Sequence, residues 1–189
     1  MLRRINKGTG AGGAAASNNG KSFESITDNT EHLLNDGFVE KLVQGLRVMV
    51  KTFENKSITF VTQGKLKKYM SVVHDKTLHR HPDEAYVVTY SDGTKCLKII
   101  EKKNQSVEGS VIDKLLCASV YKLEYKLALD DEKWDIEYCL CVSDFLKRKI
   151  NSGNKKYKIW NSIWNQTGVR VFYGEDDDYV SRINEWINQ

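Results

Sequence analysis

Proline is almost missing from this chain: Pro82 is the only one. It stands just ahead of an apolar run, where an absent N–H costs no ladder hydrogen bond, so it marks the mouth of a strand. Cysteine is also scarce. Cys96, Cys117, Cys139 and Cys141 fall inside apolar segments and show no Cys-x-x-Cys spacing. That argues against disulfides and zinc, and for reduced, packed thiols in an intracellular, cytoplasmic protein. Long apolar runs are absent, so no segment is expected to cross a bilayer. The opening Met-Leu-Arg-Arg-Ile-Asn-Lys has charge but no apolar stretch behind it, unlike a secretory signal. Histidine is sparse, and His74, His79 and His81 share one loop with no third ligand at helical spacing. A histidine metal site is therefore not expected. Nor is one sign of charge in large excess: a net charge of +4 permits nucleic-acid binding without requiring it.

What is present suits one compact domain; 189 residues are enough for a real core. Residues 1–21 read as a flexible leader rich in Gly, Ala, Ser and Asn, and 22–189 as a single domain. A backbone so rich in glycine could also approach a phosphate closely. However, Gly20-Lys21-Ser22 has no glycine at the spacing a P-loop needs before it, which excludes a nucleotide cofactor at this point.

The periodicity predicts a helix from Ser22, with Phe23, Ile26, Thr30, Leu33 and Leu34 at helical spacing and Gly37 ending it. It predicts a second helix over Phe38 to Phe53, with Val39, Leu42, Val43, Leu46 and Val50 on one side. A short strand at Ile58 to Val61 and a basic amphipathic helix at Gly64 to Val73 follow. The longest helical pattern runs from Val107 to Leu129, where Leu116, Val120, Leu123 and Leu127 have the spacing of a buried stripe. Trp134 to Val142 reads as an internal strand, Asp144 to Ile150 as a short helix, and Tyr157 to Gln166 as a helix with Trp160 and Trp164 in the core. A strand at Val169 to Tyr173 and a C-terminal helix carrying Tyr179, Ile183, Trp186 and Ile187 complete the chain.

The chemistry concentrates between Pro82 and Gln105. Ala85-Tyr-Val-Val-Thr-Tyr and Cys96-Leu-Lys-Ile-Ile flank Asp92-Gly93, a strong hairpin signal. In the second strand Leu97, Ile99, Glu101 and Lys103 share one face, and Lys98, Ile100 and Lys102 share the other. An apolar face that ends in an acid and an amine is unusual unless those groups have a task. Strands about 4.8 Å apart let such a hairpin bring Asp83 beside Glu101. One reading of the cluster is a solvated hairpin end with a surface ion pair. The other is chemical: two carboxylates suit Mg²⁺, which polarises a phosphodiester and acidifies a bound water. A lysine beside them orients that water and stabilises developing charge.

Asp83 followed by Glu101-x-Lys103 on the neighbouring strand is the signature of the PD-(D/E)xK nucleases. The order of elements around it resembles the core of that superfamily. The resemblance narrows to small type II restriction endonuclease-like proteins of large DNA viruses and bacteria. It is carried by Gly10-Ala-Gly-Gly13, Asn19-Gly-Lys-Ser-Phe-Glu24, Pro82-Asp-Glu-Ala-Tyr86, Ile100-Glu-Lys-Lys-Asn-Gln105, Glu108-Gly-Ser-Val111, Tyr125, Cys141-Val-Ser-Asp-Phe-Leu146 and Trp186-Ile-Asn188. Residues Ala14 to Ser17 depart from it.

The resemblance implies an α/β, restriction-endonuclease-like core, with a mixed central sheet flanked by helices. It implies that Asp83 and Glu101 bind Mg²⁺ (Mn²⁺ substituting), that the Lys102 carbonyl adds a ligand, and that Lys103 orients the attacking water. Glu24 becomes an acid near a second metal or behind the first, and Gln105 sits at the edge of the site. Glu84, pointing away by strand alternation, is expected to be structural. The activity implied is cleavage of double-stranded DNA at a short specific site by a homodimer, leaving 5′-phosphate ends. Two alternatives stand beside it: a structure-specific repair or junction nuclease with the same cluster, and a DNA-binding module whose metal site has decayed.

Overall fold

The computed structural model describes residues 23–107, 109 and 111–189. The leader, Ser22, Glu108 and Ser110 lie outside the described residues. The strands are β1 (Val39–Val43), β2 (Leu46–Thr52), β3 (Lys56–Thr62), β4 (Glu84–Tyr90), β5 (Lys95–Lys103), β6 (Trp134–Val142) and β7 (Val169–Tyr173). The helices are α1 (Thr30–Asn35), α2 (Leu66–His74), α3 (Val111–Leu115), α4 (Cys117–Leu129), α5 (Asp144–Ile150), α6 (Lys155–Thr167) and α7 (Tyr179–Asn188). Among the described residues no helix is long and apolar enough to cross a membrane.

The strands form one mixed sheet in the order β1-β2-β3-β4-β5-β6-β7. Strands β1 to β5 are an antiparallel meander, and β6 and β7 continue it in parallel. The parallel steps need crossovers, supplied by α3–α4 between β5 and β6 and by α5–α6 between β6 and β7. Period-2 alternation divides the buried side chains between two layers. Leu97, Ile99, Ile136, Tyr138 and Leu140 face α2 to α6. Tyr86, Val88, Ile100, Cys139 and Cys141 face the other side, with Phe23, Leu33 of α1 and Ile183 and Trp186 of α7.

Three expectations fail. Phe38 to Phe53 is not a helix but the hairpin β1–β2, turned at Gln44 and Gly45 with φ of 49° and 76°. Two successive positive φ values match the right-handed twist of the strands they join. Leu46, Val48 and Val50 alternate onto the larger layer and Met49 onto the other, which suits a strand. The first helix breaks after 23–26, where Thr27 caps back onto the Phe23 carbonyl at 2.8 Å. Asp28 then accepts from the Thr30 N–H at 2.9 Å to start α1. The long helix also divides at Leu116, and its supposed buried stripe faces out: Val120, Leu123 and Leu127 are 62%, 54% and 68% exposed. Ala118, Tyr125 and Leu129 of α4 are the buried residues instead.

Gly174, just past β7, cannot carry a side chain. A Cβ there would lie 2.5 Å from Thr27 Cγ2 and 2.8 Å from the Phe23 ring. This close approach seats residues 23–27 against the ends of β6 and β7.

Candidate active site

The β4–β5 pairing sets Glu84 opposite Ile100 and Ala85 opposite Ile99. Continued by one residue, that register sets Asp83 opposite Glu101. Ala85 and Ile99 belong to the larger layer, so alternation turns Glu101 and Lys103 to that side and Glu84 and Lys102 to the other. Lys103 Nζ lies 2.5 Å from Glu101 Oε1. Asp83 Oδ2 accepts the Lys102 backbone N–H at 2.6 Å, which ties the mouth of β4 to the end of β5. That end is further held by the next strand: the Ser143 N–H donates to the Lys103 carbonyl at 3.1 Å.

Burial raises the Glu101 carboxyl above the ordinary range; the Lys103 ammonium opposes this, the Asp83 charge adds to it, and Arg80 opposes it again. Burial, and then the Glu101 charge, raises the phenols of Tyr125 and Tyr138, so both stay neutral. Lys103 pairs with Glu101, and two neighbouring carboxylates outnumber that one ammonium, which favours a further cation at the rim. Hard oxygen donors of this kind fit Mg²⁺ with several waters retained. Among the described residues no three His, Cys, Asp or Glu side chains gather where they could hold a metal ion; the carboxylates at this rim are Asp83 and Glu101.

Lys102 points to the opposite layer. Its ammonium lies 2.5 Å from Glu84 Oε1 and donates to the Thr27 carbonyl at 2.8 Å. Glu84 Oε2 accepts from Asn29 at 3.2 Å and from the Tyr86 hydroxyl at 2.9 Å. Glu84 is thus a buried structural acid, as its place in the strand alternation implied. Exposed Glu24 meets Asp83 across a cavity of about 250 Å³, lined also by Asp28, Thr62, Glu84 and Lys102. The structure therefore brings Glu24 toward Asp83 from the Glu84 and Lys102 side of the sheet, whereas Glu101 and Lys103 project from the other face, with Asp83 at the rim between them. Gln105 is locked by Ser143, donating its N–H to Ser143 Oγ at 3.2 Å and accepting from it at 3.0 Å. Gln105 Oε1 is buried without a partner among the described residues.

Sequence reasoning missed Arg80, Tyr121 and Glu124. Arg80 Nε donates to Glu124 Oε2 at 2.7 Å, and its guanidinium stacks 3.6 Å from the Tyr121 ring centroid. Tyr121 and Glu124 share a helix face by i, i+3 spacing, which was legible. Their meeting with Arg80, a loop residue 44 positions before Glu124, was not. Comparison with known proteins gives no match: no family model, no curated protein and no solved structure matches this chain.

Proposed function

We propose that the protein is a Mg²⁺-dependent endonuclease for double-stranded DNA, built on a restriction-endonuclease-like core and acting as a homodimer at a short specific site. One observation carries this reading. Asp83, at the mouth of β4, is tied to the end of β5 by the Lys102 N–H at 2.6 Å, and Lys103 stands on the Glu101 face with its amine at 2.5 Å from that carboxylate. The antiparallel meander that passes through a helical crossover to a parallel strand supports the core assignment.

Asp83 and Glu101 would hold the cation, which supplies charge neutralisation at a phosphodiester and a bound water of lowered pKa. Lys103, on the same strand face as Glu101, would orient that water and stabilise charge developing on the phosphoryl oxygens. The Lys102 N–H fixes the Asp83 carboxylate, so its orientation needs no rearrangement when substrate arrives. Protonated Tyr125 and Tyr138 add no negative charge to the surroundings of Glu101. Water attacks phosphorus and the P–O3′ bond breaks, leaving a 5′-phosphate and a 3′-hydroxyl. A two-fold dimer would match a palindromic target.

The test is digestion of unmethylated plasmid with Mg²⁺ or Mn²⁺, followed by sequencing of the ends. Discrete fragments with 5′-phosphates are expected, and none from Asp83→Asn or Glu101→Gln. Intact plasmid across the metal series, or undiminished cutting by either variant, overturns the assignment.

A further inference from the structure

We propose that Arg80 is an oxyanion-binding residue, its two terminal nitrogens holding a backbone phosphate of nucleic acid, with Glu124 and Tyr121 as positioning residues. This rests on the nuclease reading for the identity of the ligand, but not for the geometry. The guanidinium is immobilised in two ways, by the 2.7 Å bond from Nε to Glu124 and by the stack on Tyr121. Buried Leu78 and Pro82 pin the chain on either side of it. Among the described residues only Nε of its nitrogens is bonded, so the four N–H groups of the terminal nitrogens point to no protein acceptor. That fork matches phosphate geometry.

The Arg80 side chain remains 39% exposed, so a ligand can reach it. Arg80 stands three residues before Asp83, on the loop that leads into β4. Its ion pair is with Glu124 and not with Asp83 or Glu101, so it takes up none of the oxygens of the two rim carboxylates that the Lys102 N–H and Lys103 leave open. As an ion pair alone the contact is half-open to water and contributes little stability. A preorganised, accessible, planar cation near Asp83 is suited to take a phosphate oxygen of a nucleic acid whose cation Asp83 and Glu101 would hold.

The test uses duplex DNA and the non-cleaving Asp83→Asn parent, with Arg80→Ala and Arg80→Lys added to it. Removing Arg80 should lower the slope of log affinity against log salt by about 0.9, one phosphate contact. Lysine should restore the slope. In the otherwise wild-type protein, single-turnover cleavage should fall roughly a hundredfold in Arg80→Ala. It should fall less in Glu124→Gln, which keeps the stack. An Arg80 Nε–H nuclear magnetic resonance signal that shifts on adding duplex gives a readout that needs no variant to fold. If wild type cuts DNA while Arg80→Ala keeps slope and rate, this proposal fails and the nuclease reading stands. If the parent binds no duplex, both fail. If DNA is bound with the Arg80-dependent slope but never cut, the phosphate site stands and the nuclease reading falls.

Discussion

Two adjacent lysines on β5 have different tasks because a strand alternates. Lys103 reaches Glu101 at the rim, so Lys103→Ala should lose at least about a hundredfold in single-turnover rate with the fold intact. Lys102 is buried against Glu84 and the Thr27 carbonyl, and removing one partner of such a pair costs about 3–5 kcal/mol. Lys102→Ala should therefore lower the urea midpoint sharply while the rate per folded molecule stays near wild type. A dead but fully stable Lys102→Ala would mean the faces of β5 are swapped.

Glu101 gives a second residue-scale test. Its folded carboxyl titrates above the ordinary value, so the native state binds the proton more tightly than the unfolded chain does. Stability contributed by the protonated form is then lost as pH rises from the ordinary glutamate value through the raised one. Without metal, Glu101→Gln should be the more stable protein at neutral pH, and its advantage should shrink as the solution is acidified. Saturating Mg²⁺ should reverse the order, since it stabilises only the chain that binds it. Thermal melts of both proteins at pH 4 and 7, with and without Mg²⁺, decide this.

At the scale of elements, α4 shows that spacing does not say which face is buried. Leu116, Val120, Leu123 and Leu127 have the spacing of a core stripe, yet the last three face solvent. The helix turns instead so that Tyr125 packs beside Tyr138, with ring centroids 6.4 Å apart, and Tyr121 meets Arg80. Leu127→Ser should therefore change stability by no more than about 0.5 kcal/mol. Leu115→Ala, one short helix earlier and fully buried, should cost about 2–5 kcal/mol. Urea unfolding of the two variants should separate them; equal losses would mean that α4 packs on its other face.

Across the whole molecule, the last helix is fastened to the middle of the sheet. Lys98, with no exposed side-chain surface, donates to the Trp186 carbonyl at 2.7 Å and lies 3.3 Å from Glu137. The Trp186 indole donates to Glu137 at 2.6 Å. Trp186→Ala removes a buried aromatic and leaves Glu137 without this donor, so a loss of about 3–5 kcal/mol is expected. The layer it occupies is opposite the one that carries Glu101 and Lys103. Cleavage per folded molecule should thus be unchanged at low temperature, and a matching loss of rate would mean the two layers are coupled.

What the sequence determined by itself is local. Trp134–Val142, Asp144–Ile150 and Val169–Tyr173 have the boundaries their periodicity implied. The β4–β5 hairpin follows from Asp92-Gly93, where Gly93 takes a φ of 85° and Asp92 Oδ1 accepts from Thr94. The order of Asp83, Glu101 and Lys103 along their strands is equally a local matter. The tertiary structure decided the rest. The Gln44-Gly45 turn went unread because Val, Leu and Met suit a helix face or a strand equally well until a neighbouring strand is present. Arg80 with Glu124, and Lys102 with Glu84 and Thr27, are pairings between distant parts of the chain. Periodicity describes one element at a time, whereas burial and ion pairing depend on which elements meet, and that is set by the packing of the whole sheet.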